Sequence, residues 1–305
     1  MKLVAGKFTF EFPRPALVMG IVNLVADSFS GDGITEMDAA LARARELVAQ
    51  GADIVDIGAE SARTNRSAIS AEEEAAQLLR FIERWEMNVP LSINTWRPEV
   101  ARVALAAGGD ILNDIGGLPT DENARICAGT GAALLIMHTV GTPKIPHTHV
   151  GYEDVVRSLD EFFAEKIALA ESAGVARERI LLDPGIDFAK QRDDNLRIYR
   201  ELDRLHRFGR PVLLPVSRKT VIGDVLGLPP AERDAGTVAC ITAGFLRGAQ
   251  IFRVHNVRAA VQSLRMLEAV EKKSAADPKT SGAWKLTLAR LRADGRIPRT
   301  DRDPF

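Results

Sequence analysis

Cysteine is scarce: Cys127 and Cys240 are the only two in 305 residues. Two thiols do not make a disulfide scaffold and fit a reducing compartment, so a cytoplasmic protein is expected. No apolar run approaches the roughly 18 residues needed to cross a bilayer. The amino-terminal stretch MKLVAGKFTFEF is interrupted by Lys7 and Glu11 before it reaches the length of a secretory signal. Neither sign of charge dominates, since 40 basic residues against 41 acidic ones leave a net charge of −1. Such a chain has no bulk field to draw it to nucleic acid or to a membrane surface. A glycine-rich dinucleotide fingerprint, a P-loop and a cysteine-based zinc spacing are equally missing.

What is present is an alternation. Apolar runs at 16–23, 53–58, 91–94, 111–113, 133–138, 180–183, 212–216 and 250–255 read as strands. Seven of them close on, or lead directly into, a polar residue: Asn23, Asn94, Asn113, His138, Asp183, Ser217 and Arg253, and 53–58 carries Asp56 near its end. Helical segments follow at about 36–50, 152–173 and 257–272, and Ser70 with Glu73 has the spacing of a capping box. Eight strands alternating with helices predict a single (β/α)8 barrel, whose site lies at the carboxyl ends of the strands. Residues 2–15 read as a hairpin closing the barrel bottom. The barrel spans 1–272, and 273–305 is an extension in which Trp284, Leu288 and Leu291 have the spacing of a short amphipathic helix.

The predicted mouth collects cations at Arg63, Arg218, Lys219, Arg253 and His255, and acceptors at Asp56, Asn113 and Asp183. Cations in the last two loops suit a phosphate group. Acceptors on the opposite strands suit a flat ligand rich in N–H donors, such as a pterin or purine. His147 and His149 lack an acidic partner in their loop and read as solvated side chains rather than metal ligands.

Six segments carry a family resemblance: 18–33 (VMGIVNLVADSFSGDG), 53–61 (DIVDIGAES), 111–115 (ILNDI), 181–185 (LLDPG), 217–219 (SRK) and 251–255 (IFRVH). In this order they resemble the signatures of dihydropteroate synthases, over about 16–270. That family joins 6-hydroxymethyl-dihydropterin diphosphate to para-aminobenzoate with Mg2+, releasing pyrophosphate on the folate pathway. The resemblance implies that Asn23 helps hold magnesium and diphosphate, and that Asp56, Asn94, Asn113, Asp183 and Lys219 grip the pterin. Arg63, Arg253 and His255 would hold the diphosphate. Phe188, Arg218 and Thr220 would line the aminobenzoate slot, with Thr220 opening a helix that attracts the carboxylate. Asn94, Asp183, Lys219 and Arg253 stand nearest the chemistry. The apolar stretch 235–246 resembles the family's dimer face, so a homodimer is expected.

The chain also departs from the family pattern. Asn94 stands where an aspartate is usual, Val25-Ala26 replaces Thr-Pro, and Ala62 and Thr64 replace Thr and Pro in the second loop. Asp187 adds a carboxylate after strand six, and Pro215-Val216 precedes Ser217. These changes fall mostly on the aminobenzoate half. They leave open a pterin-binding paralogue with another acceptor or no catalysis. A pterin-dependent methyltransferase is the less favoured alternative, because it has no need of the Ser217-Arg218-Lys219 and Arg253–His255 cations.

Overall fold

The structure, a computed structural model, describes residues 1–13, 15–24, 37–60, 68–145 and 150–271. The chain divides at Arg265, with Met1–Arg265 as one unit and Met266–Phe305 as another. The expected helix around Trp284 lies outside the described residues, as do His147 and His149.

The first unit opens on an antiparallel hairpin, β1 (Lys2–Ala5) with β2 (Phe8–Glu11). Gly6 turns it at a φ of +54°, where a side chain would collide with Asp110. Eight parallel strands follow: β3 (Leu17–Asn23), β4 (Ile54–Gly58), β5 (Leu91–Asn94), β6 (Ile111–Asp114), β7 (Ala133–Met137), β8 (Ile180–Asp183), β9 (Leu213–Pro215) and β10 (Ile251–Val254). Their order is β8-β7-β6-β5-β4-β3-β10-β9, and a parallel bridge from Leu182 to Val212 closes the ring. Each expected strand is found within two residues of its expected ends. The seventh is short because Val212 serves the closing bridge and Pro215 has no N–H to continue the ladder.

Successive strand side chains face opposite ways, which separates two cores. Leu17, Met19, Ile54, Ile111, Ala133, Leu135, Leu181, Leu213 and Ile251 fill the barrel, joined from below by Leu3, Ala5 and Phe12 of the hairpin region. Val18, Val22, Val55, Ile57, Leu112, Leu134, Ile136, Ile180, Leu182, Leu214 and Phe252 face the helices instead. Those helices include α1 (Met37–Ala49), α2 (Ala71–Ile82), α3 (Pro98–Ala106), α4 (Glu122–Thr130), α5 (Val155–Ser172), α6 (Arg192–Arg200), α7 (Thr220–Leu226), α8 (Asp234–Leu246) and α9 (Val257–Glu271). Ser70 caps α2 by accepting from Glu73 N at 3.1 Å. Asp154 caps α5 through Val156 N and Arg157 N, trimming the expected start at Tyr152. Among the described residues no helix is long and apolar enough to cross a membrane.

Parity then decides what reaches the mouth. With Ile54, Ile111, Leu181 and Ile251 turned inward, the residues two positions on, Asp56, Asn113, Asp183 and Arg253, also turn inward. His138 does not. Leu135 points in, so position 138 points out, and the imidazole packs against Phe162 at 4.8 Å and Phe163 at 6.5 Å. The expectation that His138 joins the converging set is corrected by this parity. Its Nε2 lies 3.3 Å from Ser158 Oγ, and burial pushes its pKa down to about 2, so it is a neutral core residue.

Candidate functional site

At the carboxyl ends of the strands one carboxylate organises its neighbours. Asp56 on β4 is fully buried. Its Oδ1 accepts from Ser92 Oγ at 2.5 Å and from Asn113 Nδ2 at 3.1 Å. Its Oδ2 accepts from Arg253 Nε at 2.8 Å and Nη2 at 2.7 Å, a forked ion pair. Four strands thus meet on one side chain. Ser92 had no role at the level of sequence, although its position between the outward Leu91 and Ile93 marks it as inward.

Asn113 is 2% exposed, and its Oδ1 has no hydrogen-bond partner. A buried acceptor left unpaired costs free energy that a ligand N–H would recover. Beside it in register stands Asn94, half-buried, and Asn23 lies level with Gly58 on the neighbouring strands. A side chain at Gly58 would come within 3.3 Å of Asn94 Cβ, so the missing Cβ leaves room in this row.

Asp183 closes β8. Its Oδ1 accepts from Gly185 N at 2.7 Å, and burial raises its pKa to about 6 against the pull of that amide and of Lys219, Lys190 and Arg253. Gly185 takes a φ of +67°, where a Cβ would collide with the His138 carbonyl oxygen. Beneath this turn lies Lys190, which donates to His138 O at 3.2 Å and Phe188 O at 3.0 Å. Burial pushes its pKa down to about 7, partly offset by Asp183. Lys190 had been noted only as part of the turn; a lysine following a Pro-Gly stop after a buried strand is the signal for a clamp of this kind.

Lys219 faces the same turn from the loop after β9. Its Nζ donates to Ile186 O at 2.7 Å and stands 4.8 Å from the centre of the Phe188 ring. Arg218, at a φ of +54°, bonds Asp234 Oδ1 at 2.9 Å through Nε. His255 Nδ1 lies 2.9 Å from Ser217 Oγ, which also accepts from His255 N at 3.2 Å. The hydroxyl proton therefore goes to Nδ1, leaving Nε2–H as a donor toward any ligand. Burial, with Arg253, Arg218 and Lys219 adding to it, lowers the His255 pKa to about 3. The expected cation at His255 is thus a neutral imidazole. Arg63 lies outside the described residues, as do Val25, Ala26, Ala62 and Thr64.

The start of α7 differs from expectation. Thr220 N and Val221 N donate to the Asp187 carboxylate, the second at 3.2 Å. Asp187 is itself held by Asn195, which accepts from Asp187 N at 2.9 Å and donates to Oδ1 at 3.3 Å. The amides expected to meet an acceptor's carboxylate are engaged by the chain's own acid, because residue 187 carries a side chain where the family pattern has a glycine.

Among the described residues no group of three or more His, Cys, Asp or Glu could cage a metal alone. Asn23 offers one side-chain oxygen at the mouth. That suits Mg2+, which keeps several waters and shares phosphate oxygens rather than requiring an all-protein cage.

With this geometry in view, three similarities are informative. The model of the family described as "Pterin binding enzyme" matches residues 19–255. Dihydropteroate synthase of Escherichia coli K12 is 36% identical over 272 residues, covering 88% of this chain and 96% of that one. The solved dihydropteroate synthase of Xanthomonas albilineans with 4-aminobenzoic acid superposes with a TM-score of 0.81 at 37% identity, covering 89% and 98% of the two chains. The Yersinia pestis enzyme in complex with a sulfonamide drug gives 0.82 at 36%, covering 88% and 98%.

Proposed function

The chain belongs to the family of pterin binding enzymes, and from that premise we propose how its own residues carry out the dihydropteroate synthase reaction. It is a transferase of folate biosynthesis that condenses 6-hydroxymethyl-dihydropterin diphosphate with para-aminobenzoate and releases pyrophosphate. The observation that carries the residue assignments is the convergence of Ser92, Asn113 and Arg253 on Asp56, beside the buried Asp183 and the unpaired Asn113 Oδ1.

Asp183 and Asn113 Oδ1 accept from the pterin ring N–H groups, with Asp56, Asn94 and Lys219 completing the ring's surroundings. Arg253, His255 through its neutral Nε2–H, and Arg63 bind the diphosphate. Breaking the CH2–O bond leaves positive charge on the pterin and negative charge on the leaving group, so acids on one side and donors on the other favour the separation. Arg253 spends its Nε and Nη2 donors on Asp56, so it meets the diphosphate through what remains of its fork. Phe188, Arg218 and Thr220 border the acceptor, whose uncharged amine needs placement more than deprotonation. Mg2+, held by Asn23 with diphosphate oxygens, would neutralise charge on the leaving group.

The engagement of the α7 amides by Asp187 favours a second reading, in which the acceptor slot is altered and the paralogue prefers another nucleophile. Pyrophosphate release from the pterin diphosphate, assayed with and without para-aminobenzoate and with a magnesium chelator, separates the two. Release that depends on both aminobenzoate and magnesium supports the first reading. Release indifferent to aminobenzoate sinks it in favour of the second. Residues 1–272 carry this chemistry as one barrel in the cytoplasm, and the face around α8 pairs two copies; sedimentation as a single 33.2 kDa species at micromolar concentration would refute the dimer.

A further inference from the structure

A second set of charges sits at the same end of the barrel, on the loops that follow β4, β5 and β7. Glu60, just beyond β4, has a side chain only 1% exposed and faces Lys144 Nζ at 2.5 Å. Its Oε2 accepts from Ile69 N at 2.8 Å and lies 3.6 Å from the Arg97 guanidinium. Arg97, beyond β5, bonds Glu74 Oε2 at 2.6 Å and donates to Ile69 O at 3.0 Å. Both polar groups of the Ile69 backbone are therefore held, one by Glu60 and the other by Arg97. Glu60 and Ile69 are the two ends of the loop that follows β4.

Lys144 reaches this cluster from a third loop, beyond β7, at a φ of +72°. A lysine keeps a left-handed backbone only where surrounding contacts hold it there. Two buried acids, Glu60 and Glu74, are met by two cations, Arg97 and Lys144. Removing Lys144 leaves a surplus negative charge among groups with little access to water, and a buried charge deprived of its partner is strongly disfavoured. The relief available is movement of Glu60, which would release Ile69 N with it.

We propose that Lys144 is a positioning residue that, through the buried Glu60 carboxylate, fixes both ends of the loop after β4 and so sets the affinity for the diphosphate-bearing substrate. The substrate half of this inference rests on the reading above, because the loop it fixes carries Arg63. Lys144 acts through Glu60 rather than on the reacting atoms.

Lys144→Gly is the informative variant, since glycine accepts the positive φ without strain and removes only the ammonium and its stem. With folding verified by circular dichroism, KM for the pterin diphosphate should rise about tenfold, the worth of one half-buried ion pair. We expect kcat and the KM for para-aminobenzoate to stay within about twofold, and Lys144→Arg to recover most of the loss. An unchanged pterin-diphosphate KM in Lys144→Gly overturns the inference. So does an equal worsening of both KM values and kcat, which would mark general damage. Arg63→Ala separates this clamp from the assignment beneath it. Unaltered pyrophosphate affinity in Arg63→Ala, together with the raised KM in Lys144→Gly, keeps the clamp and refutes the role of Arg63. Weakened affinity in Arg63→Ala with no effect of Lys144→Gly refutes the clamp alone.

Discussion

Asp56→Asn tests the centre of the site with the smallest change of shape. The native carboxylate accepts four hydrogen bonds, two of them from the Arg253 fork. An amide has one oxygen, so its NH2 group must face either the guanidinium or the Ser92–Asn113 pair, donor against donor. Removing one partner of a buried ion pair costs about 3–5 kcal/mol when both groups are dry. Here Asp56 is fully buried while the Arg253 side chain is 20% exposed, and water reaching the guanidinium lowers the cost to about 2–3 kcal/mol. For a chain of this size that corresponds to a fall in Tm of roughly 5–10 °C, read by calorimetry near pH 7. Arg253 is released at the same time, so inorganic pyrophosphate should bind at least as well as to the parent while pterin affinity drops. The double variant Asp56→Asn with Arg253→Gln should regain part of the lost stability, because no unpaired cation is left behind. A fall in Tm below about 2 °C in the single variant would show that Asp56 is not the centre the geometry makes it.

Two further outcomes follow from the same geometry. Burial holds the Asp183 carboxyl near a pKa of about 6, and ring N–H donors favour its ionised form, so binding below that pH must expel a proton. Pterin affinity should therefore fall by up to about tenfold per unit as pH drops from about 6, and calorimetry giving a flat affinity between pH 7 and 5 would contradict the assignment. Asn94→Asp places a carboxylate in the row beside Asn113; at about 4 Å from the developing cation and an effective dielectric near 20 it is worth up to about 4 kcal/mol. Steady-state kcat should then rise by as much as about three powers of ten with little change in pterin affinity, and a variant no faster than its parent would defeat the argument.

The barrel and most of its inward ring were legible in the sequence because period-2 alternation is a local property. Once Leu181 is inside the barrel, Asp183 must follow it inward, and the same holds for Ile54 with Asp56 and Ile251 with Arg253. His138 shows the limit of that reading: β7 is apolar on both faces, so hydropathy does not reveal which face a terminal residue takes, and only the parity from Leu135 does. The charge of His255 was illegible for another reason. An imidazole surrounded by Arg253, Arg218 and Lys219 and buried against Ser217 loses its proton to its neighbours' field, which no motif encodes. Pairings between distant loops are least legible of all. Asp187 meets Thr220 and Val221, and Glu60 meets Lys144, only after the barrel has closed and brought successive strand ends into one ring. The residues that hold the mouth in shape are thus harder to read than those that line it. A lining residue needs only the right parity on its own strand, whereas a bracing residue needs a partner that the sequence leaves dozens of positions away.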